Sequence, residues 1–158
     1  MRRPKTNPLD LVRLTPLMDR TEGRPEVAIG VIDGPVALDH PHLARQRIRE
    51  LPGSLPSACV NRDSIACAHA TFVTSILSAT RDSPAPAICP GCSLLIRPIF
   101  PEASMEKAGM PMATLSTLAE AIVDVVDAGA RPASVSATVD RRAHDRLARQ
   151  LPPLDGAL

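Results

Sequence analysis

The sequence predicts an α/β fold in which an open parallel sheet is flanked by helices. Short apolar runs rich in β-branched residues alternate with longer segments whose apolar residues repeat at helical spacing. The order strand, helix, strand, helix, strand, helix is typical of parallel sheets built with right-handed crossovers. A chain of 158 residues, 44% of them hydrophobic, is long enough for one domain with its own core. We expect an extended lead-in over residues 1–25, the domain over 26–151 and a tail over 152–158.

The first strand is predicted from the continuous apolar run Val27-Ala-Ile-Gly-Val-Ile32. A short run of this kind is typical of a strand buried on both faces, as in a parallel sheet. It ends at Asp33-Gly34-Pro35, where the residue types favour a turn. Residues 39–66 carry scattered prolines and charges, so we predict mostly loop there, with a short helix near Leu43 to Leu51.

The later elements follow from changes in apolar spacing. A helix is predicted from His69 onward, because the larger apolar side chains from Phe72 to Leu77 recur at helical spacing while the other positions stay small. The remaining predicted elements are a strand over 92–100, an amphipathic helix over 115–126 closed by Gly129, a weaker strand over 133–139 and an Arg-rich helix over 141–151.

Charge and hydropathy exclude several classes of partner. Eighteen basic and seventeen acidic residues leave a net charge of +1, and only two aromatic residues are present. Neither a basic surface nor aromatic stacking platforms are therefore expected, and we predict no nucleic-acid partner. No stretch approaches the roughly 18 consecutive apolar residues of a membrane span. We predict a cytoplasmic protein without a membrane partner.

The four cysteines are expected to be free or partly buried thiols in that compartment. Cys89 and Cys92 have the CxxC spacing, and together with Cys59 and Cys67 they form the alternative of a zinc site. This alternative is disfavoured, because structural zinc sites usually combine two closely spaced pairs and Cys59 and Cys67 are eight residues apart. We expect no cofactor.

Two residues are candidates for catalysis because of their places in the predicted sheet. In open α/β sheets, functional groups collect at the carboxyl ends of strands and at helix N-termini. Asp33 ends the first strand, and His69 opens the following helix. Either residue alone has an ordinary structural explanation, as a turn residue or as a surface histidine.

The segments that contain these residues resemble subtilisin-like serine peptidases. The run from Val27 to Asp33, followed by His40-Pro-His-Leu43, is similar to the family's aspartate motif. His69-Ala-Thr-Phe-Val-Thr-Ser75 is similar to the histidine motif His-Gly-Thr-x-Val-Ala-Gly, and the segment over 88–99 resembles the family's next strand with its preceding turn. Within the family, the residues of these segments resemble those of the peptidases of cyanobactin-type ribosomal-peptide maturation. The resemblance covers residues 24–138.

The resemblance implies a three-layer αβα fold and a serine endopeptidase acting on a peptide or protein. Asp33 would orient His69, and His69 would take a proton from a serine. The chain departs from the family at Ala70, where the family has a glycine after the histidine. It also departs at Thr74-Ser75, where the family has Ala-Gly. Residues 132–136 also lack the asparagine of the family strand that lines the substrate cleft.

The family's serine segment, Gly-Thr-Ser-Met-Ala, and its Ala-Gly-Asn segment do not occur in these 158 residues. The similar-looking Gly109-Met-Pro-Met-Ala113 has a proline in the serine position and lies in the wrong part of the topology. Three hypotheses follow: a truncated or inactive peptidase whose sheet is incomplete on the C-terminal side, a non-catalytic peptide-binding or scaffold module completed by another chain or by self-association, and a receiver- or flavodoxin-like domain.

Overall fold

The computed structural model describes residues 8–102 and 112–137. The described part of the lead-in is not extended throughout, because it contains two four-residue helices, α1 (Pro8–Leu11) and α2 (Thr15–Met18). Pro16 lies in the first turn of α2, where a missing amide hydrogen costs no helical hydrogen bond. Met18 is buried and anchors this segment to the rest of the chain.

Four parallel strands form one sheet in the order β2-β3-β1-β4. The strands are β1 (Ala28–Asp33), β2 (Ile48–Glu50), β3 (Ser93–Pro98) and β4 (Ala133–Val135). This confirms the predicted parallel α/β sheet. A flavodoxin-like sheet places the first strand between the second and third, whereas here β1 lies between β3 and β4. The receiver- or flavodoxin-like hypothesis is therefore wrong.

Two long helices, α3 (Ile65–Ser78) and α4 (Leu115–Asp127), cover opposite faces of the sheet. Side chains alternate between the faces along each strand. On one face the buried cluster includes Val31, Ile96 and Ala70 of α3, and on the other Ile32 packs with Val125 of α4. The result is the predicted three-layer αβα arrangement.

Both helices approach the sheet through small residues. A Cβ atom on Gly30 of β1 would lie 2.9 Å from Cβ of Val125, so the missing side chain lets α4 pack closely. Helix α3 buries its small face, including Ala70 and Thr74, while the large side chain of Phe72 is 63% exposed. The helical spacing of the larger apolar residues therefore predicted the helix, but not the face that it buries.

The predicted helix near Leu43 to Leu51 is wrong, because Ile48–Glu50 form β2. These three residues pair with Leu94, Leu95 and Ile96 of β3, and the amide of Leu51 donates to the carbonyl of Ile96 at 3.0 Å. Pairing with a buried central strand outweighs the weak local preference of so short a segment.

The start of α3 also differs from the prediction. The helix begins at Ile65 after the N-cap residue Ser64, so His69 is its fifth residue and not its first. Serine is a preferred N-cap residue and so could have marked this start, although the Ser64 hydroxyl makes no capping hydrogen bond in the described part of the chain.

The second helix agrees with the prediction. Thr114 caps α4 by accepting a hydrogen bond from the Thr117 amide at 3.0 Å, and Gly129, at φ +96°, follows its C-terminal end. The predicted Arg-rich helix over 141–151, the tail over 152–158 and the end of the predicted strand 133–139 lie outside the described residues. Within 8–102 and 112–137, no helix has the length and hydrophobicity needed to cross a membrane.

Candidate active site

Asp33 is the last residue of β1 and lies at the carboxyl end of a central strand. Its side chain is only 2% exposed. Oδ1 accepts a hydrogen bond of 2.7 Å from the amide of Gly34, and the backbone carbonyl of Asp33 accepts one of 2.8 Å from the amide of Ile99. The carboxylate is thus held in a fixed orientation by its own turn.

His69 of α3 directs Nδ1 to this carboxylate. Nδ1 lies 2.9 Å from Oδ2 and 3.2 Å from Oδ1 of Asp33, so the structure brings the two predicted site residues together across 36 residues of sequence. A proton on Nδ1 that is donated to Asp33 leaves the lone pair on Nε2. The His69 side chain is 53% exposed, and within residues 8–102 and 112–137 Nε2 has no hydrogen-bond partner. The imidazole is therefore oriented as a base whose free nitrogen is accessible.

Close contact between the Asp33 turn and α3 sets the distance within the pair. A Cβ atom on Gly34 would lie 2.5 Å from the carbonyl oxygen of Ala66, closer than real Cβ atoms come to other atoms. Glycine at this position lets the turn lie against the first turn of α3. His69, one helical turn after Ala66, then reaches Asp33.

Thr71 provides a second link, which was not predicted from the sequence. Its hydroxyl accepts a hydrogen bond of 3.0 Å from the amide of Ala37, in the segment that follows Asp33. The sequence could have indicated this role, because Thr71 occupies the threonine position of the histidine motif. The interaction ties the segment after β1 to the helix that carries His69.

A disulfide joins Cys59 to Cys67, which corrects the expectation that these two residues are free thiols. Cys67 lies in the first turn of α3, and the amide of Cys59 donates to the carbonyl of Val36 at 2.9 Å. The two segments bring the Cα atoms to 5.8 Å, within the usual range for a disulfide. The bond is a third link between the segment after Asp33 and α3.

Cys89 and Cys92 are free, as expected. They pack against Gly23 of the lead-in, where a Cβ atom would lie 2.4 Å from Sγ of Cys92. Burial, reinforced by Cys92, raises the pKa of the Cys89 thiol to about 11. Among the described residues, Cys89 and Cys92 do not lie within metal-ligand distance of Cys59 and Cys67, so the four-cysteine zinc site is wrong.

The histidines of the first motif do not join the site. His42 Nδ1 lies 2.8 Å from the hydroxyl of Thr80, and His40 accepts a long hydrogen bond of 3.3 Å from the amide of His42. Leu43 is buried in the cluster on the α3 face of the sheet. The motif therefore anchors the loop after β1 to the core.

Two of the departures from the family motif, Ala70 and Thr74, lie on the buried face of α3, and the third, Ser75, is half-buried. Ala70 is completely buried in the core cluster. Thr74 is also completely buried, and its hydroxyl has no hydrogen-bond partner in the described part of the chain. The threonine in the alanine position of the motif therefore fits in the core but leaves one polar atom unpaired.

Strand β4 forms in spite of Pro132. The carbonyl of Pro132 accepts from the amide of Gly30 at 3.0 Å, and the amide of Ser136 donates to Ile32 at 3.1 Å. Proline is tolerated at the start of a strand because its missing donor is not needed there. Strand β4 therefore pairs with β1 although it follows a proline.

The structure is similar to solved maturation proteases. A mutant of the protease domain of PatA superposes with a TM-score of 0.65 at 29% identity, covering 81% of this chain and 47% of that one. The prenylagaramide maturation protease PagA gives a TM-score of 0.61 at 28% identity, covering 85% of this chain and 46% of that one. The PatG macrocyclase domain matches at 17% identity with a TM-score of 0.62, covering 92% and 60%, which shows the fold alone.

The chain thus spans about half the length of the protease domains that it matches. No protein-family model and no curated protein matches the sequence. The chain is therefore a structural match to the cyanobactin maturation protease domains of subtilisin-like fold, over about half of their length.

Proposed function

We propose that Asp33 and His69 are the Asp–His part of the triad of a serine endopeptidase that acts on peptides or proteins. One observation carries this proposal: Nδ1 of His69 lies 2.9 Å from a carboxylate that is 2% exposed, while the other side of the ring is open. In a Ser-His-Asp triad the aspartate holds the imidazole in the correct tautomer and stabilises the imidazolium that forms.

The links around the pair support this role. A base of this kind must be held in position, because misplacement by about 1 Å can cost a hundredfold in rate. Gly34, Thr71 and the disulfide each connect the Asp33 turn to α3. These contacts restrict the relative movement of the two elements that carry the pair.

The nucleophile is the part of the triad that no segment of these 158 residues matches. Subtilisin is the general example in which loss of the serine alone lowers kcat by about a millionfold. We therefore propose that the 158-residue polypeptide does not hydrolyse peptides by itself. It would act as the Asp–His half of the site, or as an inactive form of it.

A fluorophosphonate probe tests both parts of this proposal. We expect no specific labelling of the 158-residue polypeptide, and specific labelling would contradict the missing nucleophile. If the coding DNA continues into a Gly-Thr-Ser-Met-Ala segment, the longer polypeptide should be labelled. His69→Ala should then abolish labelling, whereas the control His42→Ala should keep it. Equal labelling of both variants would contradict the assignment of His69.

Peptide binding without catalysis is the second candidate function, and the exposed strand β4 favours it. In the described residues β4 pairs only with β1, and both Ala133 and Val135 are exposed. Such an edge can take an additional extended segment. PatG macrocyclase has been solved in complex with a peptide, although at 16% identity this comparison shows the fold alone.

Two variants of Val135 distinguish peptide binding at the open edge of β4 from binding at the Asp–His site. The amide of Ser136 donates to β1, so the amide of Val135 points to the open edge because amides alternate along a strand. Val135→Pro should therefore abolish binding of an extended fluorescent peptide, measured by anisotropy, while Val135→Ala and His69→Ala should retain it. Loss of peptide binding in His69→Ala would point to the Asp–His site instead.

A further inference from the structure

We propose that Cys59, Cys67 and Glu102 form a zinc-binding site when the disulfide between the two cysteines is reduced. The two sulfur atoms and a carboxylate oxygen of Glu102 all lie within 4.8 Å of one another. Thiolate sulfur and carboxylate oxygen are both ordinary zinc ligands. This set differs from the four-cysteine site considered from the sequence, because it excludes Cys89 and Cys92 and adds a glutamate.

The separations fit a tetrahedral site. Bonds of about 2.3 Å to sulfur and about 2.0–2.2 Å to oxygen place tetrahedral ligand atoms roughly 3.4–3.8 Å apart. A carboxylate oxygen lies within 4.8 Å of both sulfurs, so it would have to move closer by at most about 1.4 Å, and the sulfurs would move apart once their bond is broken. The three protein ligands leave a fourth position for water.

The carboxylate of Glu102 is held in place by backbone donors. Its Oε1 atom accepts hydrogen bonds from the amides of Val60 and Asn61, at 3.0 and 2.9 Å. Only one longer contact, 3.3 Å from the Val60 amide, reaches Oε2. Carboxylates that ligate metals are commonly oriented by hydrogen bonds of this kind. Oε2 is therefore available for a metal while Oε1 is fixed.

The site lies between the same two segments that the disulfide joins. Cys59 lies in the segment that pairs with Val36, and Cys67 precedes His69 by two residues on α3. In a reducing cytoplasm, where thiols rather than disulfides persist, a bound zinc ion would keep the two segments together. The metal would thus take over the structural role of the disulfide next to the Asp33–His69 pair.

The chemistry balances with a dithiol as reductant. The dithiol gives two electrons and two protons to the disulfide, which becomes two thiols, while the dithiol becomes a disulfide. Zinc then binds as both thiols lose their protons to water, and the carboxylate binds without a proton change. Cys59 is partly exposed, so the reductant has access to one sulfur atom of the bond.

Cobalt titration of the full chain tests the site. The protein is reduced with a phosphine under anaerobic conditions, freed of reductant and titrated with Co²⁺. We expect one Co²⁺ per chain, with the absorption of thiolate-to-cobalt charge transfer, and displacement of the cobalt by Zn²⁺. Without reduction, the Cys89→Ser variant should give no such absorption, because Cys59 and Cys67 are bonded to each other and the free CxxC pair is broken. Charge-transfer absorption by this unreduced variant would overturn the proposal.

Matched variants identify the ligands. Glu102→Gln keeps an oxygen acceptor for the amides of Val60 and Asn61 but removes the charge, and we expect binding at least about tenfold weaker. Cys59→Ser should abolish the charge-transfer band, and Cys89→Ser should leave it unchanged. Unaltered affinity in Glu102→Gln, or a band that depends on Cys89 instead of Cys59, would overturn the proposal.

A measurement on the unaltered chain avoids any effect of the variants on folding. The reduced protein is treated with N-ethylmaleimide with and without Zn²⁺, and the modified peptides are mapped by mass spectrometry. Zinc should protect Cys59 and Cys67 and leave the modification of Cys89 as it was. Modification of Cys59 and Cys67 at the same rate with zinc as without it would overturn the proposal.

Discussion

Gly34 and Ala66 are in such close contact that the position of one fixes the position of the other. A Cβ atom on Gly34 would lie 2.5 Å from the carbonyl oxygen and 2.8 Å from the carbonyl carbon of Ala66. Gly34 follows Asp33, and Ala66 lies three residues before His69 on α3. The distance between the acid and the base of the candidate site therefore depends on the absence of a side chain at residue 34.

Gly34→Ala should displace the start of α3 and lower the free energy of unfolding by about 1–3 kcal/mol, the usual cost of overpacking. Urea denaturation measures this loss. Because the clash is with backbone atoms, adding Ala66→Gly should not restore stability. A variant as stable as the original chain, or full rescue by Ala66→Gly, would contradict this contact between Gly34 and the backbone of Ala66.

Thr74→Val should stabilise the protein. The Thr74 hydroxyl is completely buried and has no partner in the described part of the chain, so a methyl group of similar size removes an unpaired polar atom. We expect a gain of about 1 kcal/mol in the free energy of unfolding. Thr80→Val is the contrasting variant, because it removes the 2.8 Å hydrogen bond to His42 and should destabilise. A lower melting temperature for Thr74→Val would indicate that the hydroxyl is paired in solution.

Asp124→Ala should destabilise the packing between α4 and β3. Arg97 is 4% exposed, and its Nε atom donates to a carboxylate oxygen of Asp124 at 2.7 Å. Removing the partner leaves a buried guanidinium without its counter-charge, which we expect to cost about 2–3 kcal/mol because Asp124 is itself partly exposed. Asp127→Ala, on an exposed position of the same helix, should change stability by less than about 0.5 kcal/mol. Similar losses in both variants would rule out a specific role for the ion pair.

Cys89 should react slowly with alkylating reagents near neutral pH. Its pKa is raised from 9.0 to about 11, so at pH 8 the thiolate fraction of the folded protein is about 100-fold below that of an ordinary cysteine. Iodoacetamide labelling, followed by mass spectrometry in buffer and in urea, measures the difference. Equal rates in the two solvents would show that the thiol is not shielded by the fold.

The raised pKa of Cys89 also predicts how the free energy of unfolding changes in alkaline solution. Below pH 9 the thiol is protonated in both states, and its effect on stability is constant. Between pH 9 and 11 the unfolded chain loses this proton while the folded chain keeps it, so the contribution falls as the pH rises. Cys89→Ala should have a shallower decline over this range than the original chain.

The sequence predicts the elements that are long or strongly apolar. The run before Asp33 and the spacing over 115–126 correspond to β1 and α4 within one or two residues. The sequence does not predict β2, because these three residues form a strand only through their pairing with β3. The predicted start of α3 lies too far along the chain, because the repeat of large apolar residues begins later than the helix does.

The candidate pair could be predicted, and the contacts that hold it could not. Asp33 and His69 belong to local motifs that can be recognised in the sequence. The disulfide and the Gly34–Ala66 contact depend on how distant segments meet, which spacing alone does not determine. The reduced state expected for Cys59 and Cys67 was an inference about compartment, and the fold places the two residues within bonding distance.

The tautomer of His69 tests the central claim most directly. Nitrogen-15 NMR of the 158-residue protein above pH 8 distinguishes a protonated Nδ1 from a protonated Nε2. We predict that His69 carries its proton on Nδ1, donated to Asp33, with the lone pair on Nε2, and that Asp33→Asn abolishes this preference. An Nε2-protonated His69, or one that averages both tautomers as a free histidine does, would contradict the assignment of Asp33 and His69 as an Asp–His catalytic pair.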